Sequence, residues 1–311
     1  MKIGIVGVGG VGTACALASI MRGVTREIVL LNRNSKRAEA VATDMRYGTP
    51  LSPITEIRAG DYEDLAGAAL IMITAGVNEK TGGAIDRNDP TGRLKLLDQN
   101  VRVYEEIVPR IAKASPNAVL LVVTDPPDPL ADHVRRLAGH ERVLSTGTYL
   151  DSLRFRVHLA RELGVSPTSV EALVVGEHGT SQVFLWSSAR VAGSLILEAI
   201  ERRGLSREDF RKRIEADVRY ANITIIEGIG ASQYGIGMVS ARIAEIVLSD
   251  ERAVIPIGSY HEAYGATLSL PSIVGCQGII DVIEPDMWDD ERQALRRSGE
   301  TIRKAEMHVV R

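Results

Sequence analysis

At 311 residues the chain is long enough for two domains or one large one. Its 37 basic residues nearly balance 40 acidic ones for a net charge of −3, and no dense Lys/Arg block stands out, which argues against a nucleic-acid partner. No apolar run approaches about 18 residues and no secretory pattern precedes the first strand, so no membrane partner is expected and a cytoplasmic location is.

The opening stretch, MKIGIVGVGGVG, carries the first motif. Ile3, Ile5 and Val6 form a wholly apolar run, expected of a strand buried on both faces. It leads straight into Gly7, Gly9 and Gly12, spaced as G-x-G-x-x-G, with an Ala-rich helix expected over residues 11–21. Gly7 permits a tight turn, Gly9 lets the backbone approach a pyrophosphate, and Gly12 allows close helix–strand packing. The helix N-terminus supplies free N–H groups and a favourable dipole. This triad, placed between a buried strand and a helix, points to a dinucleotide.

Further strands are expected at residues 27–31, 54–59, 70–73, 118–123 and 142–145. Helices are expected at 35–47, capped by Asn34 or Ser35, at 93–114, kinked near Pro109, and from Asp128 or Pro129 onward. The alternation predicts an α/β Rossmann-type doubly wound parallel sheet with ligands at the carboxyl ends of its strands. Between its fourth strand and the next helix lies a polar loop, residues 77–92, containing Asp86 and Arg87 and read as a lid.

From Thr146 the character changes. Helices at 149–163, 207–227, 238–248 and 289–306 mix with short strands at 170–175, 183–186 and 190–194, and with a pair at 254–260 and 267–274; residues 228–237 read as a glycine-rich joint. A dinucleotide-binding domain is therefore placed at 1–145 and a mixed α+β catalytic and substrate domain at 146–311. Cys15 and Cys276 sit in apolar contexts without C-x-x-C spacing, which predicts buried thiols in a reducing compartment and no metal site.

About 20 residues after the last glycine, a carboxylate is expected to take the ribose 2′-hydroxyl. This chain has Asn32 there, followed by Arg33. Without the carboxylate nothing repels a 2′-phosphate, and Arg33 can pair with one, so NADP(H) is favoured. The alternative is NAD(H), with Asn32 on the ribose and Arg33 in solvent.

Hydride exchange at a hydroxyl carbon needs a base of suitable pKa, a carboxylate that orients it, and a cation to grip a substrate carboxylate. His178, Asp151 and Arg154 have that chemistry, the last two at i and i+3 on one helix. The other histidines, at 133, 140, 158, 261 and 308, read as satisfied polar groups.

The segments GVGGVG (7–12), ITAG (73–76), RLKLLDQNV (93–101), LDSLRF (150–155) and VVGEHG (174–179) together resemble the L-lactate/malate dehydrogenase family, closer to its lactate type, over essentially the full length. The resemblance implies that His178 is the general acid/base, Asp151 its orienting partner, and Arg154 a two-point clamp on the substrate carboxylate. Arg93 is similar to a lid arginine that polarises the carbonyl. Gly76 and Asn100 match positions near the cofactor, and Ser232 a position near the substrate. The family implies NAD(H) and a homodimer or homotetramer.

Besides Asn32 and Arg33, two features depart from that pattern. Sixteen residues separate Gly76 from Arg93, a longer lid than the family's, and Glu79 falls near its side-chain-specificity position. A carboxylate there disfavours a second carboxylate on the substrate, hence lactate or a larger 2-hydroxy acid over malate; in another register Arg87 points inward instead. Asp125 stands where the family has an asparagine that helps bind the substrate oxygen, and the resemblance implies a cis Asp125–Pro126 bond. A second carboxylate near His178 favours the protonated imidazole. These departures predict a non-standard 2-oxo acid. The rival readings are a cofactor-binding sensor without turnover and an NAD-dependent glycosidase that needs a metal.

Overall fold

The computed structural model describes residues 1–77 and 92–309. Strand β1 (Lys2–Val6) is buried along nearly its whole length and pairs in parallel with β2 (Glu27–Leu31) on one side and β4 (Leu70–Ile73) on the other. β3 (Glu56–Ala59) lies outside β2, and β5 (Val119–Val122) and β6 (Val143–Ser145) follow β4 in parallel. The order β3-β2-β1-β4-β5-β6 leaves a switch point between β1 and β4, where the crossover direction reverses and a ligand crevice opens. The third strand begins two residues later than expected because Ile54, at the sheet edge, is exposed.

Helix α1 (Gly10–Arg22) buries Cys15, Ala16 and Ile20, and ends at Gly23 in the left-handed conformation. Helix α2 (Ser35–Gly48) is capped by the Asn34 side chain, which accepts from Arg37 N–H. The segment after residue 91 opens with a short 3-10 turn, Gly92–Leu96, before α3 (Leu97–Ala114), so Arg93 precedes the α-helix; α3 runs on through Pro109. Helix α4 (Pro127–Ala138) starts one residue earlier than expected, directly after a cis Asp125–Pro126 bond. The apolar side chains on the two sheet faces form two clusters against these helices.

The second half adds to the same sheet. β12 (Ala253–His261) meets β6 at Gly258 and Ser145, and β13 (Ala266–Gly275) and β14 (Gly278–Val282) extend it antiparallel to nine strands. Strand β14, a five-residue return after a tight turn, was not expected; that turn exposes Cys276, which corrects the expectation of two buried thiols. Burial pushes the Cys15 thiol up to about 12.

Helix α5 (Tyr149–Leu163) falls where expected. The strand expected at 170–175 is two strands: β7 (Val170–Glu171) pairs with β10 (Arg190–Val191), itself paired with β11 (Ser194–Leu195), whereas β8 (Val174–Val175) turns to β9 (Val183–Phe184). A short helix α6 (Ile196–Glu201) comes next. The long helix expected from 207 divides at Tyr220, whose ψ of 9° leaves the helical range, into α7 (Arg207–Arg219) and α8 (Ala221–Ile229). Here Phe155, Phe184 and Trp186 pack edge to face in a separate core. Helix α9 (Tyr234–Leu248) takes in glycines that had read as a joint: a Cβ on Gly237 would lie 2.7 Å from Ala14, so the missing side chain lets α9 lie against α1. The terminal helix α10 (Asp289–Val309) closes the fold.

Candidate active site

The glycine turn has the shape a pyrophosphate requires. Gly7 has φ +104°, and a Cβ there would sit 2.5 Å from Ala75 N; one on Gly12 would sit 1.9 Å from the Gly7 carbonyl oxygen. Gly9 faces open space, with nothing within 4 Å of where its Cβ would be. The first turn of α1 holds no acidic residue and no side-chain cap, as an anion site at a helix start requires. The chain thus fits a dinucleotide's phosphates.

Two cavities flank this turn. The one on the β2 side, about 560 Å³, is lined by Asn32, Arg33, Arg37, Asp61 and Tyr62. Asn32 is held by the backbone: Oδ1 accepts from Val8 N–H at 3.0 Å and Nδ2 donates one of its two hydrogens to the Asn34 carbonyl at 3.1 Å. Arg37, which sequence reasoning missed, donates from Nε to the Val8 carbonyl and brings a second guanidinium beside Arg33. Its i+5 spacing from Asn32 carried no recognisable signal.

The second cavity, about 190 Å³, brings Gly9, Gly76, Asp125, Arg154, His178 and Ser232 together. Helix α5 and the turn after β8 supply its reactive groups. Asp151, 3% exposed, stands behind the imidazole: Oδ2 lies 2.5 Å from His178 Nδ1, and Oδ1 accepts from Arg154 Nη1 at 2.9 Å. The i, i+3 pair on α5 is therefore both a helical ion pair and a shared support for His178 and Arg154. On the cavity side, Asp125 Oδ1 lies 3.6 Å from His178 Nε2, so the imidazole stands between two carboxylates.

Asn100 is buried; its Oδ1 accepts from Val77 N–H and its Nδ2 donates to the Asp125 carbonyl, both at 2.7 Å. It ties Val77 to Asp125, and its amide lies beside Gly76, where a Cβ would come within 2.7 Å of Oδ1. Glu79, Asp86 and Arg87 lie outside the described residues, and for Arg93 only the backbone is described. Two other histidines depart from expectation: among the described residues both His140 ring nitrogens and His133 Nε2 are buried without a hydrogen-bond partner, the last 4.0 Å from Glu105 Oε1, and burial lowers both pKa values.

Behind the site lie groups that sequence reasoning missed. Asp128, read only as a helix start, is fully buried and accepts from His178 N–H and the Ser145 hydroxyl. Glu177, also buried, accepts from Ser181 N–H at 3.1 Å and from the Ser181 hydroxyl.

The model of the lactate/malate dehydrogenase NAD-binding domain matches residues 1–144, and that of the family's α/β C-terminal domain matches 148–310. The chain belongs to the lactate/malate dehydrogenase family. An L-lactate dehydrogenase of Thermus aquaticus is 45% identical over 98% of both chains, and one of Deinococcus radiodurans 41% over 97% of both. A solved lactate dehydrogenase from a Medee basin deep-sea metagenome library superposes with a TM-score of 0.91 at 30% identity, covering 100% of this chain and 99% of that one. The minor L-lactate dehydrogenase of Enterococcus mundtii gives 0.91 at 32%, covering 99% and 98%. Membership in the lactate/malate dehydrogenase family makes this chain a nicotinamide-dependent 2-hydroxy-acid dehydrogenase, favoured over the sensor and glycosidase readings. Among the described residues no helix is long and apolar enough to cross a membrane.

Proposed function

We propose that the chain interconverts a 2-hydroxy acid and its 2-oxo acid through His178, Asp151 and Arg154, and that the 2-oxo acid is not restricted to pyruvate. The observation that carries this is the Asp125–His178–Asp151–Arg154 line across one cavity beside the glycine turn. The nicotinamide, when bound, supplies or accepts the hydride. Arg154 offers the cavity a planar cation for a carboxylate, held in place by Asp151. His178 Nε2 faces the cavity and exchanges the proton of the substrate oxygen. Asp151 fixes the tautomer with Nδ1–H and stabilises the cation that forms. Arg93 polarises the substrate carbonyl, as the family resemblance implies, and Ser232 borders the substrate.

Asp125 sets the proposed departure from a plain lactate enzyme. A carboxylate 3.6 Å from Nε2 stands beside the place of the reacting oxygen and repels a developing alkoxide unless the substrate or His178 provides a donor. Glu79 adds to the case against a second substrate carboxylate. For the cofactor, Asn32 in place of a carboxylate and the exposed guanidinium groups of Arg33 and Arg37 support acceptance of NADP(H). The division at 145/146 into cofactor and substrate parts is supported by the two family models, one ending at residue 144 and the other beginning at 148. Exposed Leu17 and Met21 on α1, beside exposed Tyr234 and Met238 on α9, support a homo-oligomer. Two free thiols fit the cytoplasm.

The test is the initial rate of NADH and of NADPH oxidation against 2-oxo acids from pyruvate and oxaloacetate to branched, aromatic and cationic ones. Turnover of a larger or cationic acid at least as fast as pyruvate is expected, with NADPH accepted. Fast turnover of pyruvate alone, with NADH alone, would make the three departures functionally silent.

A further inference from the structure

Three consecutive main-chain N–H groups in the turn that carries His178 are held by three different elements. Gly176 N–H donates to the Ser269 carbonyl of β13 and Glu177 N–H to Ser298 Oγ of α10, both at 2.8 Å. His178 N–H donates to Asp128 Oδ2, at the start of α4, at 2.6 Å. The other oxygen of Asp128 accepts from the Ser145 hydroxyl at 2.5 Å. Space for that contact depends on Gly258, where a Cβ would lie 1.8 Å from Ser145 Oγ and 2.8 Å from Asp128 Oδ1. A carboxyl with no exposed surface is expensive to keep, and burial pushes this one up to about 7 against the pull of its two donors.

We propose that Asp128 is a positioning residue for proton exchange: it anchors the main chain of His178 to β6 and to the first turn of α4, and so fixes Nε2 relative to Asp125 and Arg154. This rests on the proposed role of His178. Asp151 orients the ring through Nδ1, but a ring can be oriented and still be displaced with its backbone. Asp128 removes that freedom, and it does so from the helix start that directly follows Asp125, three residues before it. A displacement of about 1 Å at a reacting group costs on the order of 10²-fold in rate.

The test compares Asp128→Ala with Asp128→Asn, with kcat normalised to NADH-binding sites. Asparagine can accept from His178 N–H and donate to Ser145 Oγ, so both contacts survive. Asp128→Ala is expected to lower kcat about 30- to 100-fold with KM and NADH affinity within about twofold, and Asp128→Asn to restore kcat to within about threefold of the parent. Parental kcat in Asp128→Ala, or equal losses in both variants, would overturn the positioning role. Should Asp128→Ala fail to fold, Ser145→Ala decides: kcat several-fold lower at unchanged KM supports the proposal, and unchanged kcat overturns it. Absence of turnover by the unaltered chain would remove the proposed function and this role together.

Discussion

The cavities on the two sides of the glycine turn hold their charges in opposite ways. On the reaction side, about 190 Å³, His178, Asp151 and Arg154 are 11%, 3% and 13% exposed and interlocked, with Asp128 fully buried beneath. On the β2 side, about 560 Å³, Arg33 and Arg37 are exposed to solvent. Buried, mutually bonded charges leave an orphaned partner when one is removed, so their loss acts steeply. Exposed charges are screened, so their loss acts gradually and shifts preference between ligands rather than abolishing binding. On the proposed reading, the chemistry sits in an interlocked network and the cofactor preference on an exposed rim.

The largest break in that contrast is expected at Arg154. Arg154→Leu should lower kcat/KM for the 2-oxo acid about 10³-fold while NADH affinity stays within about twofold, measured by steady-state kinetics and fluorescence titration. Arg154→Lys should recover only part of the loss, because an ammonium cannot reproduce the planar two-point grip. Gly12→Ala comes next. Its Cβ meets the Gly7 carbonyl at 1.9 Å, so affinity for NADH and NADPH should fall together, by about 10- to 100-fold. A smaller, selective effect is expected on the rim: Asn32→Asp should lower the NADPH/NADH ratio of kcat/KM about tenfold, less at high salt, with kcat unchanged. An unchanged ratio would remove residue 32 from cofactor choice.

The smallest effect lies far from both cavities. Burial, reinforced by the neighbouring Asp132 carboxylate, raises the pKa of Glu306 on α10 above its ordinary 4.5. A carboxyl with a raised native pKa contributes its full stability below the unfolded value and loses it as pH climbs toward the native one. Glu306→Gln, neutral throughout, should therefore gain roughly 2 °C in Tm over the parent at pH 8 and nothing at pH 4, by thermal melts. A constant difference across that range would mean the carboxyl does not titrate as described.

Much of the reaction side could be read from sequence because its residues sit on local patterns. His178, Asp151 and Arg154 lie in short motifs, and Gly7, Gly9 and Gly12 are spaced by the geometry of one turn. What could not be read depended on contacts between distant segments. Asp128 looked like an ordinary helix start, since nothing local says that His178, 50 residues on, donates to it. Gly235 and Gly237 read as part of a glycine-rich joint, whereas Gly237 permits α9 to lie on Ala14 of α1. The apolar run at 170–175 looked like one strand, and it divides because its two halves find partners in different sheets. Asn100 was assigned to the cofactor by resemblance, and its side chain proves to join Val77 to Asp125.

The most direct test of the central claim is a single-turnover measurement on His178→Gln, with bound NADH and the best 2-oxo acid of the panel. Glutamine keeps a polar group in the cavity but cannot exchange a proton at neutral pH. The account predicts unchanged NADH affinity and a hydride-transfer rate lower by about 10³-fold, within the range expected for loss of a general acid. A rate within tenfold of the parent would contradict it, and would place the proton donor elsewhere in the cavity.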